Sequence, residues 1–415
     1  MKILKKLLRI VGKGLKWFFI FLIGVLLISG LYNLTLPDSS SVTEKLTDPQ
    51  KAYLAEYINL QPEVTSNIWP GFGDVKIPAI VYNEEYAFLI GIEHPDTGWY
   101  KMPSQEHRGG AWQKVSNDRF LDKSYYRQPL PDKNKTPENF TVKVGDNWVS
   151  TMQTREYAEV AFYNGFRDEL PPLINWVFPY KIFWNLVMGN AENYVSGLMH
   201  EAFHAYQAMS VYHKFEKGES IARLSSEYPW ESAENQKGWK KEADLLLQAY
   251  KSETDTSRNK YIREFLEQRE QRRASTHISS ELIDYERNRE WLEGLAKYAE
   301  LKTGITASEL AQYKSVPQIK ALSDFEDYKH SKSYLEQQIG EAKRAASRSG
   351  ESRFYYLGML QAMLLDHVAP NWKNEILKED LYLEDLLKEN IEAEDDMTKS
   401  YTIKGNSNSK IQNSL

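Results

Sequence analysis

The 415-residue chain contains no cysteine. It therefore forms no disulfide, builds no thiolate metal site and carries no lipid-modified N-terminal cysteine. A strong net charge is also missing: the formal value is −6, with no basic stripe beyond the first residues, which argues against a nucleic-acid partner. No internal repeat is visible. No acidic residue precedes Asp38, and no charged residue occurs from Trp17 to Leu36.

Those last two absences point to location. Lys2, Lys5, Lys6, Arg9, Lys13 and Lys16 precede the uncharged run "WFFIFLIGVLLISGLYNLTL". Twenty helical residues span roughly 30 Å, the thickness of a bilayer core. A basic flank stays in the cytoplasm, so residues 1–16 are expected inside, 17–36 as a single-pass transmembrane anchor, and the body outside the cytoplasm. A cleaved signal peptide is the competing reading; the run is long for one, and no A-x-A-like site follows.

Aromatic residues are abundant, with 11 Trp, 26 Tyr and 16 Phe. Packing accounts for them most simply. A glycan-binding envelope protein is a lesser reading that rests on this count alone, with residues 49–150 as its binding part.

The polar stretch 37–49 reads as a linker. From about Ile68 short apolar runs alternate with turn signals. "VKIPAIVY" and "YAFLIGI" flank Asn83-Glu84-Glu85, and "FTVKV" and "NWVSTMQ" flank Gly145-Asp146, which predicts two hairpins. Pro78 is expected to put the first strand at an edge. Residues 50–150 thus form a β-rich, antiparallel part, with an edge strand available to an extended peptide. Residues 151–395 are helical. "PPLINWVFPYKIFWNLVMGN" predicts an apolar helix, and Asn190 caps the next one. Tyr261, Ile262, Phe265 and Leu266 share one helical face. The charges between Lys214 and Arg273 read as a solvated helical surface. The tail 396–415 is expected to be disordered. The fold class is α+β.

The helix from Asn190 carries His200-Glu201-Ala202-Phe203-His204. Residues four apart share a face, so His200 and His204 can bind one metal ion, with Glu201 placed to take a proton from a water that the metal holds. Zinc in such a site needs a third protein ligand and an open position. The metzincin solution requires glycine at 207 and histidine at 210, where Gln207 and Ser210 stand. His213 reads as a surface histidine. A glutamate about twenty residues on would be Glu227, which sits in a loop-like stretch. The helix is too polar for a membrane-embedded protease. Further along, Glu286, Glu290 and Glu293 recur at i, i+4 and i+7, as a solvated stripe or around a cation.

In Glu293-Gly294-Leu295-Ala296-Lys297-Tyr298 the chain resembles the gluzincins, zinc peptidases whose His-Glu-x-x-His helix is completed by a glutamate on a later helix. Tyr355-Tyr356-Leu357-Gly358 is similar to the family's Tyr-x-x-Gly segment. The resemblance implies a zincin-like fold, Zn²⁺ held by His200, His204 and Glu293 (Glu290 or Glu286 as alternates), Glu201 as general base, and Tyr355, or else Tyr356, as donor to the oxyanion. Three motifs in the span 194–366 carry it. The stretch between His204 and Glu293 is longer than in the aminopeptidase branch, which implies a helical insertion. That branch's Gly-x-Met-Glu-Asn motif is absent, so endo- and exopeptidase action both stay open. The aspartate that several gluzincins place four residues after the ligand is Lys297 here, which leaves Glu290 or Glu286 to orient a histidine. The expected activity is peptide-bond hydrolysis by a membrane-anchored, extracytoplasmic zinc peptidase acting on a peptide or protein. The alternative is a zincin-like scaffold that binds zinc or peptide without cutting.

Overall fold

The computed structural model describes residues 2–40, 44–132 and 135–393; the expected disordered tail lies outside them. A long helix, α1 (Lys2–Asn33), opens the chain. Within it, Lys13–Asn33 is long and apolar enough to cross a membrane, a property that signal sequences share.

Ser40 and Leu46, within the stretch expected as a linker, are tied to the body. Ser40 N donates to Glu84 Oε1 at 2.6 Å, and Leu46 is buried in the core. Next comes α2 (Asp48–Ile68), capped by Thr47, whose hydroxyl accepts from Gln50 N. This helix falls in the part expected to be β-rich. Its buried residues Tyr53, Tyr57, Leu60, Val64 and Ile68 recur at helical spacing, but Pro62 interrupts the pattern that periodicity reads.

Eight strands follow: β1 (Ala79–Tyr82), β2 (Tyr86–Ile90), β3 (Trp99–Lys101), β4 (Glu106–Arg108), β5 (Gln113–Lys114), β6 (Tyr126–Pro129), β7 (Val142–Val144) and β8 (Asn147–Gln153). They form one sheet in the order β4-β3-β7-β8-β1-β2-β6-β5. Both expected hairpins are present, with Ala79 opposite Ile90 and Val142 opposite Val149. Gly145 takes φ +57 between β7 and β8, a conformation open to glycine.

Two expectations about the sheet fail. β1 is central, and it pairs with β8 in parallel, Ala79 against Ser150. Pro78 does not prevent this because the strand begins one residue later, and Pro78 contributes only its carbonyl, which accepts from Ser150 N at 3.1 Å. The sheet is therefore mixed.

The remainder is helical: α3 (Arg155–Glu169), α4 (Pro172–Val177), α5 (Tyr180–Val187), α6 (Ala191–Ser210), α7 (Tyr212–Ser220), α8 (Ala233–Tyr250), α9 (Asp255–Ser275), α10 (Ser280–Arg289), α11 (Leu295–Glu309), α12 (Pro317–Lys320), α13 (Ser331–Ala346), α14 (Ser352–Val368) and α15 (Trp372–Glu375). Residues 383–393 are also helical. The expected single helix before Gly189 is two, because Phe178, ahead of Pro179, is extended, as residues before proline prefer. One core joins the sheet to the helices: Ala79, Val81 and Phe88 belong to the same cluster as Val195, Leu198 and Phe203.

The charges on α8 and α9 are not all solvated. Arg269 and Arg272 are fully buried and pair with Glu242. Arg269 also meets Glu290 at 2.7 Å and Glu384 at 2.8 Å, and Arg272 meets Glu286 at 2.7 Å. Buried charge is tolerated because each carboxylate faces a guanidinium. The network joins α8, α9, α10 and the helix at 383–393.

Candidate metal centre

Asn190 caps α6, its side chain accepting from Asn193 N. His200 and His204 lie one turn apart on this helix, 8% and 6% exposed. Their Nε2 atoms are 3.2 Å apart. Glu293 Oε2 completes a triangle, 3.5 Å from His200 Nε2 and 3.3 Å from His204 Nε2.

The outer imidazole nitrogens are committed elsewhere. His200 Nδ1 donates to Glu300 Oε2 at 3.2 Å. His204 Nδ1 donates to Gln207 Oε1 at 2.9 Å. Gln207 is itself oriented, its Nε2 donating to Trp291 O and Leu292 O at 3.1 and 3.2 Å. With both Nδ1–H groups spoken for, two Nε2 lone pairs and a carboxylate oxygen converge on one point. Such a set repels itself unless a proton or cation lies between. Ligand atoms 2.0–2.1 Å from a tetrahedral zinc lie about 3.3–3.4 Å from one another, which matches the triangle. The three residues thus form a group that could hold a metal ion, at a spacing that a tetrahedral zinc would accept.

Glu293 reaches this point through a local irregularity. Glu290–Gly294 form a π-helical turn between α10 and α11, a distortion often found at functional sites. The extra residue per turn changes the phase, so Glu290 points to Arg269 while Glu293 points to the histidines. Of the three stacked glutamates, then, one joins the imidazoles and two are held by α9 arginines. The histidine-orienting position expected of Glu290 or Glu286 is taken by Glu300, two turns further along the helix, whose Oε2 is 3.2 Å from His200 Nδ1. Lys297 pairs with Glu300 at 2.6 Å.

The charge states follow from these partners. Burial alone would raise Glu293, but Arg289, with Nη2 2.6 Å from Oε1, and the two imidazoles hold it well below the usual carboxylate range. Burial would lower His200; its bonds to Glu293 and Glu300 prevail and lift it to about 10. A metal ion taken up at His200 Nε2 would displace a proton from this imidazole. Burial raises Glu201, against the pull of His200 and His204. Glu219 is pushed up to about 7 by burial, partly offset by Arg289.

A cavity of about 230 Å³ opens on this centre. Glu201 and Tyr355 line it together with His200, His204 and Glu293. The Tyr355 ring stacks on the His200 imidazole, centroids 5.9 Å apart and 7° from parallel. Burial, then Glu293, lifts its hydroxyl well above the ordinary phenol range. Tyr356 faces away and donates to Gln338 Oε1 at 3.0 Å. His213 is exposed on α7, and Glu227 does not line the cavity. The sheet's contribution is Asn139, Phe140 and Thr141, leading into the interior strand β7; the edge strands β4 and β5 do not line it.

Sequence reasoning passed over Glu219, Arg289, Glu300 and Gln207. The i, i+3 spacing of His204 and Gln207 was a usable signal for the last. Glu300 lies seven residues after Glu293, also one face of a helix, and was equally readable. Arg289 precedes Glu293 by four. Glu219 had no local signal.

The glycines of the two later motifs meet each other. A Cβ on Gly294 would fall 2.5 Å from Gly358 Cα, and one on Gly358 would fall 2.4 Å from Glu290 O. This contact lets α14 cross the π-turn closely enough to set Tyr355 beside Glu293. Gly358→Ala should lower the melting temperature. Overpacking against backbone costs about 1–3 kcal/mol, and alanine's helix propensity returns only about 1 kcal/mol. Differential scanning calorimetry measures it.

Glu300→Gln should weaken the uptake of added zinc by about 10–100-fold, the usual effect of losing a carboxylate behind a histidine ligand. Competition with a chromophoric chelator reads this directly. In comparisons with known proteins, no family model matches this chain, and no curated protein or solved structure does either.

Proposed function

We propose that the protein is a zincin-like zinc peptidase, anchored in the cell membrane by α1 with its body outside the cytoplasm. The observation that carries this reading is the 3.2–3.5 Å triangle of His200 Nε2, His204 Nε2 and Glu293 Oε2, on a cavity that Glu201 and Tyr355 also line.

A bound zinc supplies Lewis acidity, acidifying a water and polarising a carbonyl. The chain's own groups do the rest. Glu201 accepts the water's proton on its carboxylate and passes it to the leaving amine. The Tyr355 hydroxyl donates to the oxygen of the peptide carbonyl as charge develops there. Arg289 and Glu300 keep Glu293 and His200 in place. Asn139, Phe140 and Thr141 form the wall on the sheet side of the substrate.

The test is metal content of the detergent-purified full chain, measured beside hydrolysis of a mixed peptide library. Stoichiometric zinc with chelator-sensitive cleavage is expected. Tyr355→Phe should retain the zinc and lose about a hundredfold in kcat, the scale of one oxyanion donor. Tyr356→Phe should leave the rate unchanged.

A further inference from the structure

We propose that α4 and α5 form a second membrane-contacting surface, seating the body on the bilayer beside the end of α1. This inference rests on the reading of α1 as a membrane anchor. Leu173, Ile174 and Trp176 on α4 and Ile182, Leu186 and Val187 on α5 are exposed, Leu173, Ile182 and Leu186 by 78%, 71% and 66%. Among the described residues, large apolar side chains this exposed occur on α1 and its end, on this helix pair and its C-cap, and otherwise singly at Tyr100, Leu121 and Met209. A grouped apolar face of this kind marks an interaction surface.

The face is outward by construction. Tyr180 and Trp184 turn inward and pack with Tyr163 of α3, while Ile182 and Leu186, four apart, share the opposite side. The one charge on the pair, Lys181, folds back to Glu159. Asn175 is turned inward too, its Nδ2 donating to Arg167 O at 2.6 Å.

Continuity with α1 identifies the occupant as lipid. α4 packs on α1, where Trp176 ring carbons occupy the space 2.7 Å from a Cβ built on Gly30. Asn33 Nδ2 donates to Trp176 O at 2.9 Å and Phe178 O at 2.7 Å. The apolar surface of α1 thus runs into that of α4 and α5, with Trp176 at the junction, a residue type that favours the interfacial level. Two short helices with outward apolar faces suit an element lying in the interface rather than spanning it. α6 begins four residues after α5 ends, and His200 lies about 14 Å along α6 from its first residue. A groove of about 530 Å³ is lined both by Leu186 and by Glu300, the carboxylate that holds His200.

The absence of cysteine makes the test clean. Full-length single-cysteine variants Leu173→Cys, Leu186→Cys, Val25→Cys and Ser347→Cys are labelled with an environment-sensitive fluorophore and reconstituted in vesicles of zwitterionic and anionic phospholipid. Labels at 173 and 186 should lose fluorescence to spin-labelled lipid and resist aqueous iodide, as the label at 25 does, with 347 behaving oppositely. If 25 is quenched by lipid while 173 and 186 follow 347, the anchor stands and this inference falls. Shielding of 173 and 186 from iodide without lipid quenching would mean a second protein copy covers the face, and overturns it. Failure of 25 to meet lipid overturns the anchor and the inference together.

Discussion

Glu201→Gln is expected to keep one zinc per chain and to lose peptide hydrolysis by about 10²–10⁴-fold, the usual contribution of a general base. The side chain lines the cavity beside both imidazoles but belongs neither to the triangle of donor atoms nor to its supports. Glutamine keeps nearly the same volume and cannot accept the proton. Metal analysis and single-turnover kinetics on the same preparation separate the two effects. A wild-type protein that holds zinc and cuts nothing across a diverse library, indistinguishable from Glu201→Gln, would favour the zinc- or peptide-binding scaffold and retire the peptidase.

Glu293→Ala is expected to abolish stoichiometric zinc and, with it, all activity. Two histidines leave the ion one protein ligand short of a catalytic zinc site. The substitution also strips Arg289 of its 2.6 Å partner, leaving a buried guanidinium with Glu351 and Glu219, so some loss of stability should accompany the loss of metal. Glu290→Ala is the informative contrast. It removes one of the three carboxylates around Arg269 in the buried network, leaving Glu242 and Glu384, and should destabilise the fold while the folded fraction keeps its zinc. Zinc retained by Glu293→Ala and lost by a folded Glu290→Ala would move the ligand along the helix. Circular dichroism establishes which fraction is folded in each variant before metal is counted.

Much of the arrangement was legible because it is local. The i, i+4 interval of His200 and His204 is a property of any α-helix, so one helix suffices to bring the imidazoles together. Turn residues at 83–85 and 145–146 specify their hairpins within a few positions. The apolar run before Pro37 declares a span-length helix by composition. The Glu stripe at 286, 290 and 293 was ambiguous for an equally physical reason. A regular helix would aim all three the same way; a π-turn, which no periodicity predicts, separates Glu293 from Glu290.

The sequence by itself determined the absence of sulfur chemistry, a helix that can cross a membrane, two hairpins, and a histidine pair on one helix face with a carboxylate beside it. Tertiary structure alone decided which glutamate meets that pair, because the π-turn and the Gly294–Gly358 contact are products of packing. It also decided that the charges on α8 and α9 turn inward, since Arg269 and Arg272 find Glu242, Glu286, Glu290 and Glu384 only once four helices have assembled. The parallel pairing of β1 with β8 belongs to the same class. Ladder partners some seventy residues apart leave no mark on local alternation, and the strand's position in the sheet is set by what it meets across the fold.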